Sequence, residues 1–231
     1  MGLVSFARGS PSSLCDGTGH DRLRAGIVKP LANATLFARA RRRLHAASLE
    51  ALSGCRTIID VAAGDDRLYL KLAARPDVDR VVINDLDVEA LRRGARPHPK
   101  VARLSADALG LDFLRVTFDG ALVKNILHHL ADLDAMHRLL QTARRLGRRV
   151  VVIEIEDPKT GRLPRLLHRH YYRHLLGERD NEDLFFDHET LSGIVSRAYP
   201  GVRWVARRVA TVRGTYSLYR VDFPAHHDME A

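Results

Sequence analysis

Cysteine, tryptophan and long apolar runs are all scarce in this chain of 231 residues, which has two cysteines and one tryptophan. Cys15 and Cys55 do not make a disulfide framework, so the reducing cytoplasm is the expected compartment. No stretch nears the roughly 20 consecutive apolar residues of a membrane-spanning helix. Residues 1–20 are rich in Ser and Gly, lack the apolar centre of a secretory signal and read as a loosely ordered leader. Lysine is scarce beside arginine, and the net charge is +9. An arginine surplus suits a polyanion partner, because guanidinium binds phosphate well, but it is also what GC-rich coding DNA produces. The arginines are spread through the whole chain, so net charge speaks to non-specific association and leaves the fold to other signals.

The pattern itself is that of one α/β domain over residues 21–231. Residues 21–56 carry helical spacing (Leu23, Ile27, Leu31, Leu36, Leu44, Leu49), divided at Pro30. Then extended and helical segments alternate. Strands are expected at 57–62, 80–85, 101–105, 119–124 and 149–155, and helices at 66–75, 88–96 and 133–146, the last ending at Gly147. Strands separated by helices of this length imply parallel pairing. After Pro158 the order changes: helices at 163–176 and 191–199, then two extended runs at 202–212 and 216–223 joined by Arg213-Gly214-Thr215, a hairpin. The expected architecture is a doubly wound, Rossmann-like sheet of seven strands, mostly parallel with a C-terminal antiparallel hairpin. Residues 157–187 form a helical insertion, and Trp204 reads as core packing in the sixth strand.

Ligands of such sheets sit beyond the carboxyl ends of the strands. The first of these ends is Asp60-Val61-Ala62-Ala63-Gly64-Asp65-Asp66. Its small residues let backbone approach a ligand, although Asp66 also fits a simple helix cap. The second end, Asn84-Asp85-Leu86-Asp87, brings a carboxylate about twenty residues on, the spacing at which an acid meets ribose hydroxyls. Asp87 fits the role of helix cap, which leaves Asp85 for the ligand.

Four elements in order resemble the motifs of the class I S-adenosylmethionine-dependent methyltransferases, over about residues 57–155. Residues 60–66 resemble the glycine-rich first motif. Residues 82–86 resemble the second, with Asp85 as its ribose-binding acid. Ser105-Ala106-Asp107-Ala108 resembles the third, whose aspartate meets the adenine amino group. Residues 118–130 (FDGALVKNILHHL) resemble the fourth. Residue by residue, the resemblance implies that S-adenosylmethionine lies along Asp60, Ala62, Gly64, Asp85, Leu86, Asp107, Ala108, Lys124 and Asn125, with S-adenosylhomocysteine as product. Three positions depart from the pattern: Ala62 replaces the first glycine, a mild change, Asp66 replaces the third, and Lys124 precedes Asn125. A carboxylate at Asp66 is expected either to repel the cofactor's carboxylate or to pair with its α-amino group.

The sulfonium already activates the methyl group, so the protein has to orient an acceptor and exclude water. His128 and His129 follow the fourth strand, where a general base belongs. Neighbouring residues on a helical turn point about 100° apart, so one ring should pack inward while the other meets the acceptor, with His129 the favoured base. In the 157–187 insertion, His170, His174 and Tyr171 share a helical face and are the candidate acceptor-binding residues. His170 and His174 also have metal-ligand spacing, but the glutamate of a zinc hydrolase helix is missing, and no metal is expected. The expected activity is methyl transfer to O, N or C of a small organic acceptor, a natural-product intermediate among the possibilities. RNA methylation, or a non-methylating relative that keeps the cofactor site, are the alternatives. No membrane partner is expected, and a homodimer is compatible with the sequence.

Overall fold

The computed structural model describes residues 36–64, 66–94, 96–157 and 184–224. The expected leader at 1–20, the first part of the N-terminal helices and most of the 157–187 insertion, including His170, Tyr171 and His174, lie outside the described residues.

Helix α1 (Leu36–Ala51) precedes β1 (Thr57–Val61), α2 (Leu68–Ala73), β2 (Arg80–Asp85), α3 (Val88–Gly94) and β3 (Val101–Ser105). A 3-10 segment (Ala108–Phe113) leads to β4 (Phe118–Lys124) and a second short one (Leu127–His129). Then come α4 (Leu133–Leu146), β5 (Gly147–Ile155), α5 (His188–Ala198), β6 (Trp204–Thr211) and β7 (Gly214–Asp222). The strands form one seven-stranded sheet in the order β3-β2-β1-β4-β5-β7-β6. β1 to β5 pair in parallel, whereas β7 pairs antiparallel with β5 and with β6. The expected seven strands and terminal hairpin are therefore present. The order reverses between β1 and β4, so the connections diverge at the carboxyl end of these two strands and leave a crevice there.

The strands form where β-branched residues cluster, and the central ones are buried on both faces, as parallel strands covered by helices must be. Alternate side chains feed two separate cores. Ile58, Leu122, Val151 and Ile153 pack on one face with Leu44 and Ala47 of α1, Leu68 and Leu72 of α2, and Leu91 of α3. Ile59, Val123, Val150 and Val152 pack on the other with Met136, Leu139 and Leu140 of α4, and Leu191 and Val195 of α5. Helix α4 is capped by Asp132, whose side chain accepts from the Ala135 N–H, and α5 by Asp187, which accepts from Thr190. Trp204 packs edge-on against Tyr219, as core packing requires.

Helix α4 ends at Leu146, before Gly147, as expected, but Gly147 is not left-handed. Its φ is −132°, and it is the first residue of β5. A Cβ there would lie 2.6 Å from the backbone nitrogen of Ala121, so glycine is required by the close approach of β5 to β4. Among the described residues no helix is long and apolar enough to cross a membrane.

Candidate functional site

At the end of β1 the chain turns through Ala62 and Gly64, with φ of 59° and 60°. The left-handed conformation is open to glycine but costs an alanine roughly 1–2 kcal/mol. The strain at Ala62 is held by bonds to the neighbouring strand end: Ala63 N–H donates to the Asn84 carbonyl (2.8 Å), and Gly64 N–H to Asp85 Oδ2 (2.7 Å). A Cβ on Gly64 would meet nothing within 4 Å, so its backbone faces open space.

Asp85 is less free than the sequence suggests. Its Oδ2 holds the β1 turn, and its Oδ1 accepts from Asp87 N–H at 2.8 Å. Each carboxylate oxygen carries two lone pairs, which leaves acceptor capacity for a ligand. Asp87 caps α3 as expected, accepting from Glu89 and Ala90 N–H. Between these acids Leu86 is an exposed apolar side chain, 72% accessible. At the third strand end Asp107 is exposed and accepts from Leu109 N–H (2.9 Å), capping the 3-10 segment that begins at Ala108. Asn84 Nδ2 donates to the Ala106 carbonyl at 2.9 Å, tying the second and third strand ends together.

Three buried acceptors at the adjoining ends of β1 and β4 have no hydrogen-bond partner among the described residues: Asp60 Oδ1, Asp60 Oδ2 and Asn125 Oδ1. Asn125 itself is left-handed, with φ of 53°. Burial pushes the Asp60 carboxyl up to about 6, against the opposing influence of Lys124 and with a further rise from Asp85. Buried acceptors without donors are costly, and they mark a place where a ligand's N–H groups are wanted.

The two unusual residues of the motif pattern turn out to be partners. Lys124 Nζ donates to Asp66 Oδ2. Asp66 Oδ1 meets His45 Nε2 of α1 at 2.8 Å and also accepts from Leu68 N–H at the start of α2. Burial first, and then Lys124, Lys71 and Arg41, lower the His45 pKa to about 3. His45 is thus a neutral imidazole that donates from Nε2. Asp66 is committed to Lys124 and His45, so neither outcome expected for it towards a cofactor is needed to explain it.

His128 and His129 divide as the turn geometry requires. His129 is exposed, whereas His128 is buried, and its Nδ1 lies 2.7 Å from Glu154 Oε1. Glu154 is fully buried in β5 and also accepts from the N–H groups of Leu127 and Ile155, both at 2.8 Å. A carboxylate held by two backbone donors receives the Nδ1 proton of the imidazole and leaves Nε2 as the acceptor nitrogen. The Phe185 ring stacks on His128 with centroids 5.4 Å apart, and Leu184 N–H donates to the His128 carbonyl. Beside it, Glu156 pairs with Arg208 and accepts from Ser217, and Asp157 N–H donates to the Phe186 carbonyl (2.8 Å). Both ends of the 157–187 insertion are therefore fixed to the sheet next to His128.

A cavity of 730 Å³ opens at these strand ends, lined by Ala62, Ala63, Gly64, Asp66, Lys124 and Asn125 from the sheet side and by residues of α1 and α2. Ligand pockets are typically about 300–1,000 Å³. The structure brings together Ala62, Gly64, Lys124 and Asn125 on this cavity, with Asp85 bonded to Gly64. It adds His45 and Glu154, which the sequence reading did not single out.

No protein-family model matches the sequence, and no curated protein matches it. Solved structures do. The N-methyltransferase NodS from Bradyrhizobium japonicum WM9, in complex with S-adenosyl-L-homocysteine, superposes with a TM-score of 0.61 at 17% identity, over 89% of this chain and 97% of NodS. The S-adenosylmethionine-dependent methyltransferase SibL, in its apo form, gives 0.63 at 20% identity over 82% of this chain and 56% of SibL. The methyltransferase domain of bacterial CtHen1 gives 0.61 at 12% identity over 83% of this chain and all of that domain. At these identities the likeness is one of fold, and the chain has the class I methyltransferase fold.

Proposed function

We propose that this chain is an S-adenosylmethionine-dependent methyltransferase acting on a small organic acceptor. The observation that carries the reading is the set of three buried acceptors on Asp60 and Asn125 that have no donor among the described residues, at the end of the crevice that this fold opens between β1 and β4. Asp60 and Asn125 would hold the α-amino group of S-adenosylmethionine, whose N–H donors match these acceptors. Asp85 and Leu86 would receive the ribose and one face of the nucleoside, and Asp107 and Ala108 the adenine end. Gly64 leaves room for close backbone approach. When bound, the cofactor supplies a methyl group already activated by its sulfonium.

The chain's own contribution is to orient and deprotonate. Glu154 holds the Nδ1 proton of His128, so Nε2 is the nitrogen that takes a proton from an acceptor hydroxyl or amine. That arrangement favours His128 over His129 as the base, with Glu154 as a positioning residue; a positioned base contributes roughly 10²–10⁴-fold. The insertion at 157–187, whose described end bonds to His128 through the Leu184 N–H, would cover the acceptor and exclude water. His170, Tyr171 and His174 remain its candidate contacts. NodS, PhzM and SibL, which share the fold, are an N-methyltransferase, a pyocyanin biosynthetic protein and an S-adenosylmethionine-dependent methyltransferase. This company supports a small acceptor.

Calorimetry of the full chain with S-adenosylmethionine and S-adenosylhomocysteine is the test. The wild type should bind both. Asp60→Asn should weaken binding by about 1.5–3 kcal/mol, the loss of a charge-assisted hydrogen bond. No binding of either ligand by the wild type removes the assignment.

A further inference from the structure

The cavity at the strand ends is strongly basic, and its positive groups come from three separate elements. Arg41 and Arg42 share the face of α1 that also presents His45, spaced three and four residues before it. Arg67 and Lys71 are one turn apart at the start of α2, and Arg213 reaches the same cavity from the β6–β7 turn. Asp66 is the one carboxylate among the described lining residues, and Lys124 already neutralises it. The depressed His45 pKa is a second sign of positive potential, since after burial its causes are Lys124, Lys71 and Arg41.

Resting on the methyl-transfer reading, a charge argument then applies. S-adenosylmethionine carries a carboxylate, an ammonium and a sulfonium, so its net charge is positive. Its carboxylate offsets one of the lining cations, while its two cationic centres add to the rest. Binding the cofactor therefore leaves the cavity at least as positive as before. A cleft with such a surplus concentrates anions. We infer that the acceptor is a small molecule bearing a phosphate or carboxylate group, which Arg42, Arg67 and Lys71 receive. After transfer the sulfonium charge is gone, so the anionic product is held less tightly than the substrate was. The cations converge on one concavity rather than running along an open face, which fits a compact anion better than a nucleic-acid strand.

The experiment is calorimetry of the full chain, with and without S-adenosylhomocysteine, using inorganic pyrophosphate and citrate as probes. The comparison protein is Arg42→Gln/Arg67→Gln/Lys71→Gln. All three side chains are exposed, so the variant should fold, as its melting temperature will show. The wild type should bind at least one probe, more weakly as salt rises, and the variant should lose about tenfold or more in that affinity. The variant should lose less affinity for S-adenosylhomocysteine, which offers these cations at most its one carboxylate, than for the probe. Tighter binding of pyrophosphate identifies a phosphorylated acceptor, and of citrate a carboxylated one. The inference is overturned if the wild type binds neither probe, or if the variant binds as well as the wild type. It is equally overturned if a single-stranded RNA oligonucleotide outbinds both probes and Arg39→Gln, outside the cavity, weakens it as much as the triple variant does. Failure to bind S-adenosylhomocysteine while pyrophosphate binding follows the variant would instead remove the methyl-transfer reading and leave an anion site.

Discussion

Lys124 at the end of β4 and Asp66 in the turn after β1 form an ion pair across the floor of the cavity, with Lys124 almost completely buried. These are the two less usual departures from the motif pattern, beside the milder Ala62, and each explains the other. An unpaired ammonium at Lys124 would be costly, and Asp66, which also accepts from Leu68 N–H at the helix start, supplies its counter-charge. Joined, they link two strand ends, and His45 extends the link to α1.

This pairing predicts strong non-additivity. Removing one partner from a buried pair is costly because the other charge is stranded, and replacing both is often near neutral. Asp66→Asn and Lys124→Leu should each destabilise the fold by about 2–3 kcal/mol, below the roughly 3–5 of a fully buried pair because Asp66 is partly exposed. The double variant should be no less stable than Asp66→Asn alone. Urea denaturation of the four proteins measures the cycle, and additive single effects would show that the pair is not coupled.

A second prediction concerns the tautomer of His128. Glu154 accepts from three donors, and glutamine in its place keeps the size but replaces one acceptor oxygen with an NH₂ group. In the wild type, the nitrogen NMR shifts of the neutral His128 ring should report the tautomer with its proton on Nδ1. In Glu154→Gln the Nε2–H form should gain population. If the glutamine variant leaves the tautomer unchanged, Glu154 serves the backbone at Leu127 and Ile155 alone, and its positioning role is lost.

The legible part of this protein was its sheet. β-branched runs at β1, β2 and β5 and the 3.6-residue pattern of α4 are strong because they must fill two cores at once. Strand starts were less legible: β5 begins at Gly147 and not at 149, because a close strand approach that no local pattern encodes draws the glycine into the sheet. At the site, the strand-end acids were readable because their spacing follows from the fold. Glu154 left a signal, a carboxylate inside an apolar strand, but only the parallel register of β5 beside β4 brings it near His128. His45 left none: it lies in an arginine-rich helix, and its partner is 21 residues away.

The pH dependence of stability should expose two buried groups that act in opposite directions. His45 has its pKa lowered from 6.5 to about 3 in the fold. Between those values the unfolded chain binds a proton that the folded chain does not, so His45 makes stability fall as pH drops below 6.5. Asp60 has its pKa raised from 3.8 to about 6. Between those values the folded chain holds the extra proton, so Asp60 destabilises the fold above pH 6 and ceases to do so as pH falls towards 3.8. In the wild type the two slopes, each about 1.4 kcal/mol per pH unit, oppose one another over the shared window. Removing either should unmask the other. Asp60→Asn should lose stability on acidification faster than wild type, and His45→Gln should lose it more slowly. The remaining carboxylates are common to both variants, so the gap between their stabilities isolates the pair. Measured by urea denaturation between pH 6 and pH 4, that gap should widen in favour of His45→Gln by up to about 2.7 kcal/mol per unit. Parallel curves would mean that neither group is titrating in the folded state as its burial requires.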